Sequence, residues 1–309
     1  RNLRSTGLFS EVRIELDSVN FDTYDVYVVT RDRWSTQVSA LIGTGGEEQE
    51  YGGRFEELNL LGTGSKVMFE GLYRTENNIQ WQGFASLNKR RIFRSEYTLD
   101  AGLLSNKYRT QQSISLFKPY RTLSTKLSYG VTANNSFGSD FLYVSEDSSR
   151  RMPFHDRHYS GWFSKAWMRE DRIFATGYLS FDDVNRIRPE YDRAYDNSGV
   201  FLLAFSSVAR DYLKTNKLNS YQTEDLPIGG WGQAILGKIF PLGSGGENLY
   251  YLAGQGEQSY YDNGLYLFGQ ITGASSFKRA RGVYTYEEFY GVGFYLLNEN
   301  FRLEDLNVE

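Results

Sequence analysis

A period-two rhythm runs through most of this chain and limits its fold more than anything else in it. From Trp34 to Glu309, about fifteen segments alternate apolar with mixed or polar residues. Each is near the ~9–11 residues that a tilted strand needs to cross a bilayer. In the seventh, Leu127, Tyr129, Val131 and Ala133 alternate with Lys126, Ser128, Gly130 and Thr132. A later one sets Leu265, Leu267, Gly269 and Ile271 against Tyr266, Phe268, Gln270 and Thr272. Period two places alternate side chains on opposite faces of a sheet. In a soluble sandwich or large soluble barrel the apolar face turns inward; in an outer-membrane barrel it turns out to lipid.

The connections bear on that choice. Those at residues 61–65, 118–123, 169–172 and 298–300 read as tight, and those interleaved with them, 135–157, 183–198, 224–247 and 274–286, as long loops. Sorting by parity is what an outer-membrane barrel shows, with short periplasmic turns and longer outer loops. Composition agrees. The chain is 40% hydrophobic, with a mean hydropathy of −0.51, and no run approaches the ~18 apolar residues of a transmembrane helix. Aromatic residues make up 16% of it, enough for two interfacial girdles. There is no cysteine, so disulfides and thiolate sites are excluded. The net charge of −4, with scattered basic residues, argues against nucleic acid as a partner. The expectation is an all-β antiparallel transmembrane β-barrel of about sixteen strands, the last of them beyond Glu309, with Arg1 following segments of a longer exported precursor.

Residues 1–33 differ in kind. Residues 2–8 read as the end of a helix stopped at Gly7. Val12, Ile14 and Leu16 then alternate with Arg13 and Glu15, and after a turn Val26, Val28 and Thr30 alternate with Tyr27, Val29 and Arg31. This is a small α+β unit, too short to hold a core alone.

These residues resemble a known family. "LRSTGLFSEVRIEL" followed by "YDVYVVTRDRW" is similar to the last helix and final two strands of a POTRA domain. "GGRFEELNLLGTGSKV" resembles the second and third barrel strands of the outer-membrane assembly-factor superfamily, the BamA/TamA-like proteins and two-partner secretion transporters. "FYGVGFYLLNENFRLEDLNVE" resembles strands fourteen and fifteen of the same sixteen-stranded barrel, so the resemblance covers the chain. It implies a POTRA tail over residues 1–33, a barrel over 34–309, and a place in the bacterial outer membrane with the POTRA remnant in the periplasm.

The resemblance also implies functional residues. The family's sixth extracellular loop, which folds into the lumen, falls by joint counting at residues 224–247. There "LPIGGWGQAILGKIF" matches its glycine pair at Gly229 and Gly230 and its tip at Gly237, beside Lys238. The family's Arg position is Leu236, and the acidic partners on the next strands fall at Gln255 and Gln270, so cation and carboxylates are replaced together. Losing only one would strand a buried charge. A competing Arg-Gly at Arg281-Gly282 would place the loop later and leave several strands missing. The first strand, bearing Trp34, Val38, Ala40 and Ile42, forms the lateral seam.

Enzymatic constellations are sparse. His155 and His158 in "PFHDRH" are the only histidines, and they read as a solvated pair rather than a metal site. Acidic residues Glu47, Glu48, Glu50, Asp192 and Asp196 read as solvated charge, and the Lys89-Arg90-Arg91 trio as a solvated turn. The sequence contains no G-x-S-x-G, Walker or H-E-x-x-H motif. The expectation is a protein without catalysis, metal or cofactor. Its partners would be outer-membrane lipid and lipopolysaccharide, nascent or secreted polypeptides reaching the POTRA and seam, and outer-membrane complex subunits. The function implied is insertion or translocation of polypeptides at a weak seam, where an unpaired edge recruits strands. The alternative is a non-catalytic barrel anchor for a passenger such as a patatin-like lipase, toward which the neutral Leu236, Gln255 and Gln270 lean.

Overall fold

The computed structural model of the chain describes residues 7–20, 23–45, 48–75, 79–145, 148–167, 172–187, 195–215, 224–243, 246–262, 265–278 and 289–298. Over these residues it is all-β and antiparallel, with two short 3-10 turns and no α-helix. A hairpin of β1 (Phe9–Asn20) and β2 (Thr23–Asp32) forms its own sheet. A second sheet of fourteen strands follows the order of the chain without a crossover. Its first six strands are β3 (Thr36–Gly45), β4 (Glu48–Glu57), β5 (Ser65–Arg74), β6 (Gln80–Arg90), β7 (Thr98–Asn106) and β8 (Arg109–Lys118). The next five are β9 (Leu127–Ser145), β10 (Ser148–Trp167), β11 (Arg172–Arg186), β12 (Asn197–Thr215) and β13 (Glu224–Pro241). The last three are β14 (Leu249–Asp262), β15 (Leu265–Lys278) and β16 (Phe289–Asn298). The edges, β3 and β16, are not paired with one another among the described residues.

The strand order agrees with the sequence reading where the two can be compared. The segment of Leu127, Tyr129, Val131 and Ala133 is the seventh strand of the large sheet, and "FYGVGFYLLN" is its fourteenth. The expected fifteenth segment, the helix end at residues 2–6, Arg281-Gly282, Glu47 and Asp192 lie outside the described residues.

Residues directly opposite in an antiparallel pair share a face, so the registers sort every side chain. One row runs Leu87, Ala101, Ile114, Ala133, Tyr159, Phe181 across six strands. Another runs Gly177, Leu203, Leu236, Leu252. These rows belong to one apolar face, and its large side chains are exposed from Val38 and Ile42 on β3 to Ile271 on β15. The opposite face is polar, with rows such as Asn88, Asp100, Ser115, Thr132, Ser160, Ser180. Burial is therefore inverted relative to a water-soluble sheet. Ser128, Ser136, Ser164, Ser180, Ser198 and Ser259 are buried on the polar face, while Val131, Phe163, Phe205 and Leu252 are exposed on the other.

Aromatic residues flank the apolar face at both ends. Tyr51, Tyr73 and Trp81 form a row at one end, with Tyr250 stacked on Phe277. At the other, the Tyr97 and Tyr129 hydroxyls hydrogen-bond at 2.7 Å, and Tyr129 stacks on Phe163.

The long loops expected at residues 135–157 and 183–198 are instead largely strand. β9 and β10 remain paired to Ser145 and Ser148, and β11 continues to Arg186 before β12 begins at Asn197. Polar loop-like composition misled here: outside the apolar band a hairpin can be polar on both faces, with Asn135, Arg157 and Asp183 on one and Ser136 and Asp156 on the other, and still satisfy its backbone by cross-strand pairing. A further departure lies at the short-turn end, where β12 and β13 stay paired out to Thr215 and Glu224, beyond the level of Arg172, the first residue of β11, which pairs with Val208.

Candidate functional site

The expected lumen loop is not a loop. Gly229, Gly230, Leu236, Gly237 and Lys238 all lie in β13, hydrogen-bonded to β12 on one side and β14 on the other. The joint between β13 and β14 spans only residues 242–248. Pro227 and the Gly229-Gly230 pair look like loop punctuation, but the glycines serve strand contacts. A Cβ at Gly237 would collide with the Phe201 carbonyl oxygen and the Leu202 side chain. Gly229 takes φ +111°, a conformation suited to glycine, at the point where the Ser259 hydroxyl donates to its carbonyl and to that of Pro227.

Leu236 is correspondingly misplaced in the lumen reading. It lies on the apolar face, opposite Leu203 and Leu252, and is 47% exposed. Gln255 and Gln270 lie on the polar face, Gln255 opposite Gln233 and Thr272, and Gln270 opposite Glu257. They do not form a wall that Leu236 could dock against. Period two decides it: Leu236 and Gln233 are an odd number of residues apart on one strand and so face opposite ways. Glu257, which sequence reasoning passed over, is the carboxylate that shares a row with Gln270.

The expected seam residues fall at an edge. Val38, Ala40 and Ile42 are in β3, which pairs only with β4 among the described residues, and Trp34 lies just before it. Val38, Ile42 and Trp34 are each more than three-quarters exposed. Inward of this edge the apolar face carries a row of small residues, Ala40, Gly53, Gly71, Gly83 and Ser105. A shallow groove of about 550 Å³ runs there between Val38, Phe55, Phe69 and Leu103.

The polar face behind the edge carries cross-strand charge pairs. Arg54 donates to Glu70 at 2.6 Å, Arg74 to Glu50 at 2.7 Å, and Lys66 pairs with Glu56. Farther along, Arg109 donates to Ser136 at 2.7 Å, and Arg186 binds Asp196 through two nitrogens at 2.7 and 3.0 Å with both side chains buried. His155 and His158 cannot chelate one ion together, because residues three apart on a strand point to opposite faces. His155 meets Asn135 at 2.6 Å, and His158 meets Asp182 at 2.6 Å. Among the described residues no group of three or more His, Asp or Glu converges as a metal site.

No family model and no curated protein matches this chain. Among solved structures it is similar to BamA from Haemophilus ducreyi lacking POTRA domains 1–3. That match has 14% identity and a TM-score of 0.36, and covers 90% of this chain and 48% of that one. It is also similar to CdiB from Acinetobacter baumannii, with 11% identity and a TM-score of 0.35, covering 97% of this chain and 65% of that one. The chain thus spans about half the length of the first and about two-thirds of the second.

Proposed function

We propose that this chain is the membrane-spanning part of an outer-membrane protein of the BamA/TamA-like superfamily, and that it acts on polypeptides at the edge formed by β3. The observation that carries the reading is the sorting of faces: one continuous exposed apolar face over the thirteen strands from β3 to β15, backed by a polar face rich in ion pairs and buried hydroxyls. In water such a face would aggregate; facing lipid it is favourable, and the polar face then lines an aqueous interior. Lipid tolerates no exposed sheet edge, so in the membrane β3 must be closed against another edge. A closure of two edges is also the place where an incoming strand can pair by main-chain hydrogen bonds. The β1–β2 hairpin exposes Ile14, Leu16, Val26 and Val28 on one face, as the sheet of a POTRA domain does before it is covered.

The experiment uses the absence of native cysteine. Single cysteines at Ser39 and Ile42 of the full-length protein, on opposite faces of β3, should give transient disulfide adducts with newly made envelope polypeptides that also carry single cysteines. Adducts that form and then chase away support insertion or translocation. If β3 crosslinks only within its own chain, the anchor alternative replaces this reading. That alternative no longer draws support from a neutral lumen loop, since Leu236 faces the other way.

A further inference from the structure

Three successive connections at one end of the sheet share an arrangement that strand closure does not require. They join β4 to β5, β6 to β7 and β8 to β9, at residues 58–64, 91–97 and 119–126. Each carries a large apolar side chain at its tip: Leu61 is 90% exposed, Phe93 98% and Leu123 70%. Leu61 and Phe93 also sit in the left-handed region, at φ 53° and 49°, where a bulky side chain is strained and glycine is the ordinary choice. Such strain persists at positions that have a use for it.

Cations surround these tips. Lys89, Arg90, Arg91, Arg94, Arg121 and Lys126 lie in or beside the three connections; of the carboxylates there, Glu96 pairs with Lys118, Glu56 pairs with Lys66, and Glu57 accepts from the Thr36 hydroxyl. The three turns are tied into one rim. The Lys89 ammonium donates to the Thr63 carbonyl at 2.8 Å, and Arg121 donates to the Glu96 carbonyl and, at 2.9 Å, to the Thr98 hydroxyl. Burial, and then the nearby Arg91 and Arg90, push the Arg121 guanidinium below its usual range. Below the rim lies the girdle of Tyr97 and Tyr129, so the rim continues the apolar face outward by one layer.

We propose that this rim binds the surface of a phospholipid leaflet, the apolar tips entering the interface and the cations holding the phosphates of anionic headgroups. Basic clusters beside membrane-embedded segments attract anionic lipid, and apolar or aromatic side chains at the same depth anchor the contact. An acidic protein would meet the charges equally well, but the geometry favours lipid: the tips stand at the margin of the apolar face, where a leaflet surface must pass. The proposal rests on the membrane reading above.

The test reconstitutes the full-length protein into vesicles of equal parts phosphatidylglycerol and phosphatidylcholine. Polymer-bounded discs cut from them report the lipid retained around the protein. Wild type should enrich phosphatidylglycerol over the bulk ratio. R90Q/R91Q/R94Q should bring that ratio back toward the bulk value, and R90K/R91K/R94K should restore the enrichment. F93G, which relieves the left-handed strain, should keep the fold and reduce the enrichment. Equal lipid ratios for wild type and the glutamine variant overturn the proposal. So does an unchanged lipid ratio together with loss of a co-purifying polypeptide. A protein that never enters the vesicles sinks the membrane reading itself, a result distinct from entry without lipid preference.

Discussion

At the scale of single residues, the sharpest contrast is between neighbours that face opposite ways. Val131 stands on the apolar face opposite Leu116 and Gly161, whereas Thr132 stands on the polar face with its hydroxyl 2.9 Å from that of Ser115. Val131→Arg should cost about 2–4 kcal/mol if this position lies near the bilayer midplane. Thr132→Lys should cost only about the ~1 kcal/mol of one hydrogen bond. Unfolding titrations in lipid check this, and equal losses would overturn the assignment of faces. Arg186 and Asp196 form the most buried of the ion pairs. Asp196→Asn strands a buried guanidinium and should cost roughly 3–5 kcal/mol, read as a drop in the unfolding midpoint. A change below ~1 kcal/mol would mean the pair is solvated in the folded protein.

At the scale of elements, strand length divides the sheet. β3 to β8 run 9–11 residues, whereas β9, β10, β12 and β13 run 18–20. The shorter strands match what a tilted crossing needs. The extra length of β9 and β10 stands outside the apolar band and is held mainly by its own ladder, with the Ser139 N–H donating to the Tyr108 carbonyl and the Arg151 guanidinium over the Tyr108 ring at its base. Replacing residues 140–152 with an Asn-Gly turn should therefore leave the pairing of Ala133 with Tyr159, and the folded protein, intact. Loss of the compact, heat-resistant band on an unboiled gel would show that the hairpin helps to hold the sheet rather than extending it.

At the scale of the whole molecule, tryptophans sample both faces. Trp81 and Trp167 are exposed on the apolar face, and Trp162 and Trp231 lie on the polar one. In single-tryptophan variants reconstituted with brominated lipid, Trp81 and Trp167 should be strongly quenched and Trp162 and Trp231 weakly. Equal quenching of Trp81 and Trp162 would contradict a lipid-facing exterior and a wet interior. The same sorting explains why no helix among the described residues is long and apolar enough to cross a membrane: crossing by strands needs only every second residue to be apolar.

Much of this fold is local and could be read from the chain. Period two and the spacing of turns reflect the backbone's own geometry, so the strands of Leu127 to Ala133 and of Leu265 to Ile271, and their apolar faces, follow from the residues themselves. What residues 224–241 do is not local. The same glycines and proline suit a loop or a strand, and only the neighbouring backbones of β12 and β14 decide, by offering hydrogen bonds on both sides and leaving no room for a Cβ at Gly237. The direction of Leu236 and the row shared by Glu257 and Gln270 follow from that register. Pairing between strands is a long-range contact, and a chain's alternation carries the face of each residue but not the partner across the gap.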